Sequence, residues 1–347
     1  MFYVLFDKNF VALGNKKTYP VESWSLRKRA NEFDELKITG MVVDSNIEPV
    51  YVTLNDDNGH IKYIALSGNP EIKDGKATIN AVDLKTILNT EGVIDLTGLT
   101  ELNTLSDLYT KVFAGLYSHN KNFGYSLRFD FLESDTLNVD PTSIVAEISV
   151  ANIWKTIQNV NAFYGTFLEF SANMATKELI ITVKRINNRI GINPDDFNVL
   201  NHTKITSGTN KVVAGDKTLT AATVKVYYLL NDNTVVDQGD ANYFDTNGVI
   251  LQAHEGKIIY PAKVKYIQEE DPMKAYTKAV EELMKQRYNE EFEIDTKSKL
   301  GYLLKDVSLS YEIEVANYKK LPVSEIYESS KGERIIMIGK LEELSWQ

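Results

Sequence analysis

The chain contains no cysteine, which excludes disulfides, thiolate metal sites and thiol nucleophiles and leaves the redox compartment open. Histidine is nearly as scarce. The four, His60, His119, His202 and His254, stand outside metal-ligand spacing of one another, and His254-Glu255 lacks the second histidine of a zincin helix. Turn or surface positions are expected for them. Apolar runs are short: none approaches the ~20 residues that span a bilayer. The opening "MFYVLFDKNF" meets Asp7 and Lys8 after six apolar residues and carries no basic leader, so neither a secretory signal nor an anchor is expected. A soluble product of the cytoplasm is the expectation. Excess positive charge is missing too. Thirty-eight Lys and Arg face 48 Asp and Glu, for a net charge of −10, and a phosphate-tracking protein needs a basic stripe. The clusters Arg27-Lys28-Arg29 and Lys184-Arg185 with Arg189 are short, and an acidic background weakens their reach.

Signatures of catalysis are equally absent. There is no GxSxG elbow, no Walker loop and no dinucleotide fingerprint. Among many carboxylates, none is singled out as the pair that glycoside hydrolysis requires. The run Glu269-Glu270-Asp271 reads as favourable charge at a helix N-terminus. "NDDNGH" (55–60) has alternating oxygen ligands but lacks the terminal bidentate Glu of a calcium loop, and a hairpin turn is the simpler reading. The expectation is a protein that is not an enzyme, with no catalytic, cofactor-binding or metal-ligating residue and no cofactor.

What is present is an ordinary globular composition, 43% apolar and 25% charged, over a length that suggests two or three domains. Residues 1–100 read as strands joined by turns. "FYVLF", "DELKITGMVVD" (34–44) and "PVYVTLND" (49–56) carry β-branched and aromatic residues in partial alternation, and residues 50–66 make a hairpin. A short helical signal lies at "AVDLKTIL".

Residues 101–195 read as an α/β layer. Thr104 and Asp107 are spaced like a capping box ahead of Leu105, Leu108, Tyr109, Val112, Phe113 and Leu116, which keep helical spacing. A strand follows at 125–131. "VANIWKTIQNVNAFYGTFLEF" (150–170) then gives a second helix with Ile153, Trp154, Ile157, Val160 and Tyr164 on one face. Gly165 is at its left-handed stop, and a hairpin at 166–185 follows. The aromatic stripe is expected to be a packing face rather than a ligand groove.

From 196 to 347 strands return, at 223–230, 248–253 and 257–267, and again beyond one helix near 272–289. In that helix Asp271 serves as N-cap and Pro272 as N1, and Met273, Tyr276, Val280, Leu283, Met284 and Tyr288 form the apolar stripe. Strands at "EEFEID" and "VSLSYEIEV" and a hairpin turning at Lys331-Gly332 complete the chain. The fold class expected is α+β and β-rich. No solenoid-type repeat is found. "VYVTLND" is echoed once by "VYYLLND" at 226–232.

The order of these elements resembles that of phage and prophage tail proteins of the baseplate-hub family, tail-associated structural proteins of siphophages. These are similar in fold to contractile-phage hubs and type VI secretion spike proteins. The resemblance is carried by "WSLRKRANEFDELKITGMVVD" (24–44), by the helix-then-hairpin unit at 150–185, and by the closing helix, strand pair and "RIIMIGKL" with Gly339-Lys340. It implies two β-barrel-like tube domains, 1–100 and 196–347, flanking the α/β domain 101–195. It further implies a homotrimer whose six barrels match a hexameric tube at the virion tail tip, opening for DNA passage. Implied partners are a distal tail protein, a tape-measure protein and the receptor-binding apparatus, without specific nucleic-acid binding or membrane insertion. Two other classes remain open. One is a carbohydrate- or receptor-binding tail module, suggested by 19 Tyr and the loop at 231–245. The other is a cell-wall glycan hydrolase with an unrecognised acid pair.

Overall fold

Alternating side chains in the first stretch close a barrel. The computed structural model describes residues 1–14, 18–41, 47–117, 126–131, 138–139, 148–204, 209–215, 225–229, 235–240, 244–245, 248–249, 263–284, 290–297, 300–315 and 320–339. Its first strands are β1 (Phe2–Phe6), β2 (Tyr19–Arg29), β3 (Glu35–Met41), β4 (Tyr51–Asn55), β5 (Ile61–Leu66), β6 (Glu71–Lys73) and β7 (Lys76–Val82). β1 pairs with β4 on one side and β2 on the other, so the path β1-β4-β5-β7-β3-β2 returns to its start. Closure between β5 and β7 rests on Leu66 opposite Val82, and β6 folds back on β7. Because successive side chains face opposite ways, Tyr3, Leu5, Leu26, Ile38, Leu54 and Ile79 share one buried interior. The hairpin expected over 50–66 is β4–β5. At its turn Asp56 Oδ1 accepts the N–H groups of Asn58 and His60 at 2.9 and 2.8 Å, and Gly59 takes a φ of 89°, which a side chain would resist.

The middle of the chain adds helices over a small sheet. "AVDLKTIL" forms a 3₁₀ turn, Leu84–Leu88, capped by Asp83. Then come β8 (Glu91–Asp95), α1 (Leu105–Tyr117), β9 (Ser126–Phe131), β10 (Ile148–Asn152), α2 (Ile153–Tyr164), β11 (Thr166–Asn173) and β12 (Glu178–Arg185). The capping box of α1 is reciprocal: the Thr104 N–H donates to Asp107 Oδ2 at 2.8 Å, and the Asp107 N–H donates to Thr104 Oγ1 at 3.3 Å. All six apolar residues of its stripe are fully buried. In α2, Asn152 accepts the Lys155 N–H at 3.1 Å, and Gly165 ends the helix at φ 64° and ψ 47°. Trp154 is 4% exposed and stacks on Phe33 at 5.4 Å, so the aromatic face is a packing face. β11 and β12 form the expected hairpin, with β9 parallel to β12. β8 and β10 make a separate two-stranded ribbon.

The remaining elements are β13 (Asn188–Ile192), β14 (Asn198–Lys204), β15 (Thr209–Gly215), β16 (Lys225–Leu229), β17 (Val235–Asp240), β18 (Phe244–Asp245), β19 (Gly248–Val249), β20 (Lys263–Gln268), α3 (Pro272–Met284), β21 (Glu290–Asp295), β22 (Tyr311–Val315), β23 (Lys320–Ser329) and β24 (Arg334–Ile338). Six of them run β13-β22-β23-β24-β21-β14 around a second core with Ile294, Ile313, Val323, Ile336 and Ile338. The two ends of that path, β13 and β14, are consecutive in the chain. The five residues between them cannot span more than about 20 Å, so the sheet is forced to curl. Lys331-Gly332 turns β23 into β24, with Gly332 at a φ of 72°.

Because β14 pairs antiparallel with β21, residues 205–289 are an insertion into one hairpin. Its described part contains the sheet β17-β16-β15-β20, the small pair β18–β19, and α3. Here the helix stripe read from the sequence needs correction. The face of α3 against the sheet is Ala275, Ala279 and Leu283, packed on Val212, Ala214 and Tyr227. Met273 is 74% exposed, and Tyr276 sits at the rim with its ring edge-on to Tyr227 at 5.7 Å. Alanine lets a helix approach a sheet closely, which a Met–Tyr face would hold off. Tyr288 lies outside the described residues, as do 230–232 of the "VYYLLND" echo and 250–253 of the expected strand.

The two curled units share an edge. The second half of β2, Ser25–Arg29, leaves β1 and pairs with Ser329–Glu325 of β23, so that among the described residues thirteen strands form one hydrogen-bonded sheet. The fold is β-rich α+β, as expected.

Candidate functional site

Four members of the basic clusters are paired with carboxylates where they stand. Arg29 lies 3.0 Å from both Glu325 and Glu35, and Arg27 lies 3.2 Å from Glu325. Arg189 is 3.3 Å from Glu312, and Lys184 pairs with Glu169. The acidic run before α3 acts as a cap: Asp271 accepts the Met273 N–H at 2.9 Å, and Glu269 takes Lys278 at 2.7 Å. His60 sits exposed in its turn, 3.2 Å from Asp56. His202, in β14, stacks on Phe292 at 4.0 Å. His119 and His254 lie outside the described residues. Among the described residues there is no group of three or more His, Asp or Glu arranged to hold a metal, and no helix is long and apolar enough to cross a membrane.

The densest chemistry lies where the first barrel, β11 and the second unit meet. A cavity of about 310 Å³ opens there, and at its floor sits a buried ion cluster. Lys85, the second residue of the 3₁₀ turn, spends all three ammonium hydrogens: on Asp34 Oδ1 at 2.6 Å, the Arg29 carbonyl at 2.7 Å and the Glu32 carbonyl at 3.0 Å. Asp34 also accepts the Tyr63 hydroxyl at 2.7 Å and the Arg29 N–H at 2.8 Å. Asp83 accepts the Asp34 N–H at 2.6 Å and the Lys85 N–H at 3.0 Å, while its distance to the Lys85 ammonium is 3.4 Å. The side chains of Lys85, Asp34 and Asp83 are 3%, 9% and 2% exposed. Burial, reinforced by the neighbouring Asp34 charge, pushes the Asp83 carboxyl up to about 6. Burial alone would lower the Lys85 ammonium, but the charges of Asp34 and Asp83 outweigh it and hold it above its ordinary value. Burial and the same carboxylates raise the Tyr63 phenol well above its usual range.

This arrangement binds three backbone segments together, and every hydrogen of Lys85 is consumed in doing so. No sequence signal picked out Asp34, Tyr63, Asp83 or Lys85 as a group. The one available hint was Asp83 as the cap of "DLKTIL", which reports a turn and says nothing of its partners 29 to 34.

No family model matches the chain, and no curated protein does. Several solved structures are similar to it. The crystal structure of prophage tail protein gp18 from Listeria monocytogenes EGD-e shares 10% identity at a TM-score of 0.49, over 99% of this chain and 95% of that one. A chain of the phage P2 baseplate in its activated conformation shares 12% at 0.49, over 98% and 99%. The E. coli c3393 protein is a type VI secretion component described as structurally similar to the T4 tail proteins gp27 and gp5. It shares 9% at 0.44, over 95% and 76%. By their descriptions these three belong to a prophage tail, a phage baseplate and a type VI secretion system.

Proposed function

We propose that the chain is a structural, non-enzymatic component of a phage or prophage tail. In this reading it is a tail-tip or baseplate hub that assembles as a trimeric ring, closes the tail tube, adapts it to the host-binding apparatus and opens for DNA. The observation that carries the reading is the pairing of Ser25–Arg29 with Ser329–Glu325, which sets a closed six-stranded barrel beside a second curled six-stranded sheet, edge to edge in one hydrogen-bonded sheet. Three copies would present six such units, a geometry suited to a hexameric tube. The division into 1–100, 101–195 and 196–347 belongs to this proposal, with β13 pairing across its second border. Adjoining tail proteins are the partners it requires, and the virion tail tip is its location. Light scattering of the purified chain together with electron microscopy of tails carrying a labelled copy tests the reading. A threefold ring at the distal end of the tail supports it, and a label elsewhere on the particle overturns it.

A further inference from the structure

The cluster beneath the cavity is unbalanced in charge. Asp34 and Asp83 face a single ammonium, and Lys85 directs its three hydrogens to Asp34 and two carbonyls. Asp83 is therefore the buried carboxylate that the ammonium holds more loosely, at 3.4 Å against 2.6 Å for Asp34. We propose that Asp83 is a proton-linked clasp, which tightens the hold of the 3₁₀ turn on the β2–β3 connection of the first barrel when protonated and loosens it when ionised. The geometry localises the effect. Lys85 holds the β2–β3 connection through the Arg29 and Glu32 carbonyls, and the Asp34 N–H rests on Asp83 itself. A change of charge on Asp83 thus acts on both strands of that connection at once.

The other ionisable groups around the cavity come from every element packed there: Lys28 from β2, Lys62 and Tyr63 from β5, Glu169 from β11, Glu328 from β23 and Arg334 from β24. Lys62 is paired with Glu328 at 2.8 Å, Glu169 is held by Lys184, and Arg334 donates to the Lys305 and Val307 carbonyls. Lys28 lies over the Tyr63 ring at 5.9 Å. Apart from Tyr63, whose hydroxyl is held in the cluster by Asp34, these rim groups are more exposed than the buried three and are screened accordingly.

The sign follows from linkage. The folded-state value of about 6 lies above the ordinary carboxylate value, so the folded chain binds the proton more tightly than the unfolded chain. The contribution is full below pH 4 and is lost as the pH rises through about 6. Between pH 5 and pH 7.5 the clasp should open about tenfold more readily at the higher pH. Hydrogen exchange of residues 29–35 and 83–88, corrected for intrinsic rates, should show that difference in the native chain. In Asp83→Asn it should collapse to near unity. Because that variant loses an acceptor and can fail to fold, carbon-13 spectra of the native chain labelled at aspartate carboxyls provide a second test. One carboxyl titrating near pH 6 is expected. Equal pH dependence in both proteins, or no aspartate titrating between pH 5 and 7, overturns the proposal.

Discussion

Replacing Trp154 with alanine removes the largest side chain at the contact between α2 and the β2–β3 connection. The indole is 4% exposed and lies against Phe33 with ring centroids 5.4 Å apart and planes 24° apart. Aromatic truncation in a packed core costs about 3–5 kcal/mol through lost transfer energy and the cavity left behind. The stacked partner accounts for about 0.5–1.5 kcal/mol of that. Trp154 also belongs to the cluster that unites α1, α2, β11 and β12, so the cavity has packed neighbours on every side and little means of collapse. Urea denaturation followed by circular dichroism should therefore show a lower midpoint with an unchanged slope, equivalent to about 4 kcal/mol. Phe163, on the same helix but 41% exposed, is the control: its alanine variant should change stability by less than about 1 kcal/mol. A Trp154→Ala protein within about 1 kcal/mol of the native chain would refute the packing assignment and return the aromatic stripe to the surface.

Other perturbations probe the remaining elements. Lys85→Met leaves Asp34, Asp83 and two carbonyls without their cation, and should cost about 3–5 kcal/mol in the same urea assay. Thr104→Ala breaks the capping box of α1 and should cost about 0.5–2 kcal/mol. Gly165→Ala should cost about 1–2 kcal/mol through its positive φ alone, because nothing lies within 4 Å of the added Cβ. Gly40→Ala should be worse in thermal unfolding, since its Cβ would come 2.6 Å from the Pro20 carbonyl oxygen across β2–β3.

Local chemistry was legible wherever it is decided within a few residues. The Thr104–Asp107 box, the Gly165 stop, the Asp56–Gly59 turn and the Asp271-Pro272 helix start each declare themselves through a side chain bonding its own backbone or a φ only glycine favours. Tertiary choices were not. α3 was given a Met–Tyr stripe because large apolar residues dominate any periodicity count, whereas its sheet accepts the small face of Ala275 and Ala279. β14 went unread since "NVLNHTK" is mostly polar and exposed, and its strand character comes from β21, 97 residues away at Asn198 and Asp295. The ion cluster was invisible for the same reason. Asp34, Tyr63 and Asp83 are three unremarkable residues until β3, β5 and β7 close the barrel and carry them together.

The joint between β2 and β23 also bears on how the molecule is made. Arg29 and Glu325, bonded across it, are separated by 296 positions in the chain. At ordinary translation speeds of about 5–20 residues per second, β2 leaves the ribosome roughly 15–60 s before its partner exists. During that wait the outer backbone of Ser25–Arg29 is an open sheet edge, the kind of template on which nascent chains join one another. Arg29 already has Glu32 and Glu35 within reach, but Arg27 waits for Glu325, and with Lys28 beside it the surplus positive charge repels an identical edge until then. Charge that looks redundant in the finished sheet thus guards the interval before it is complete.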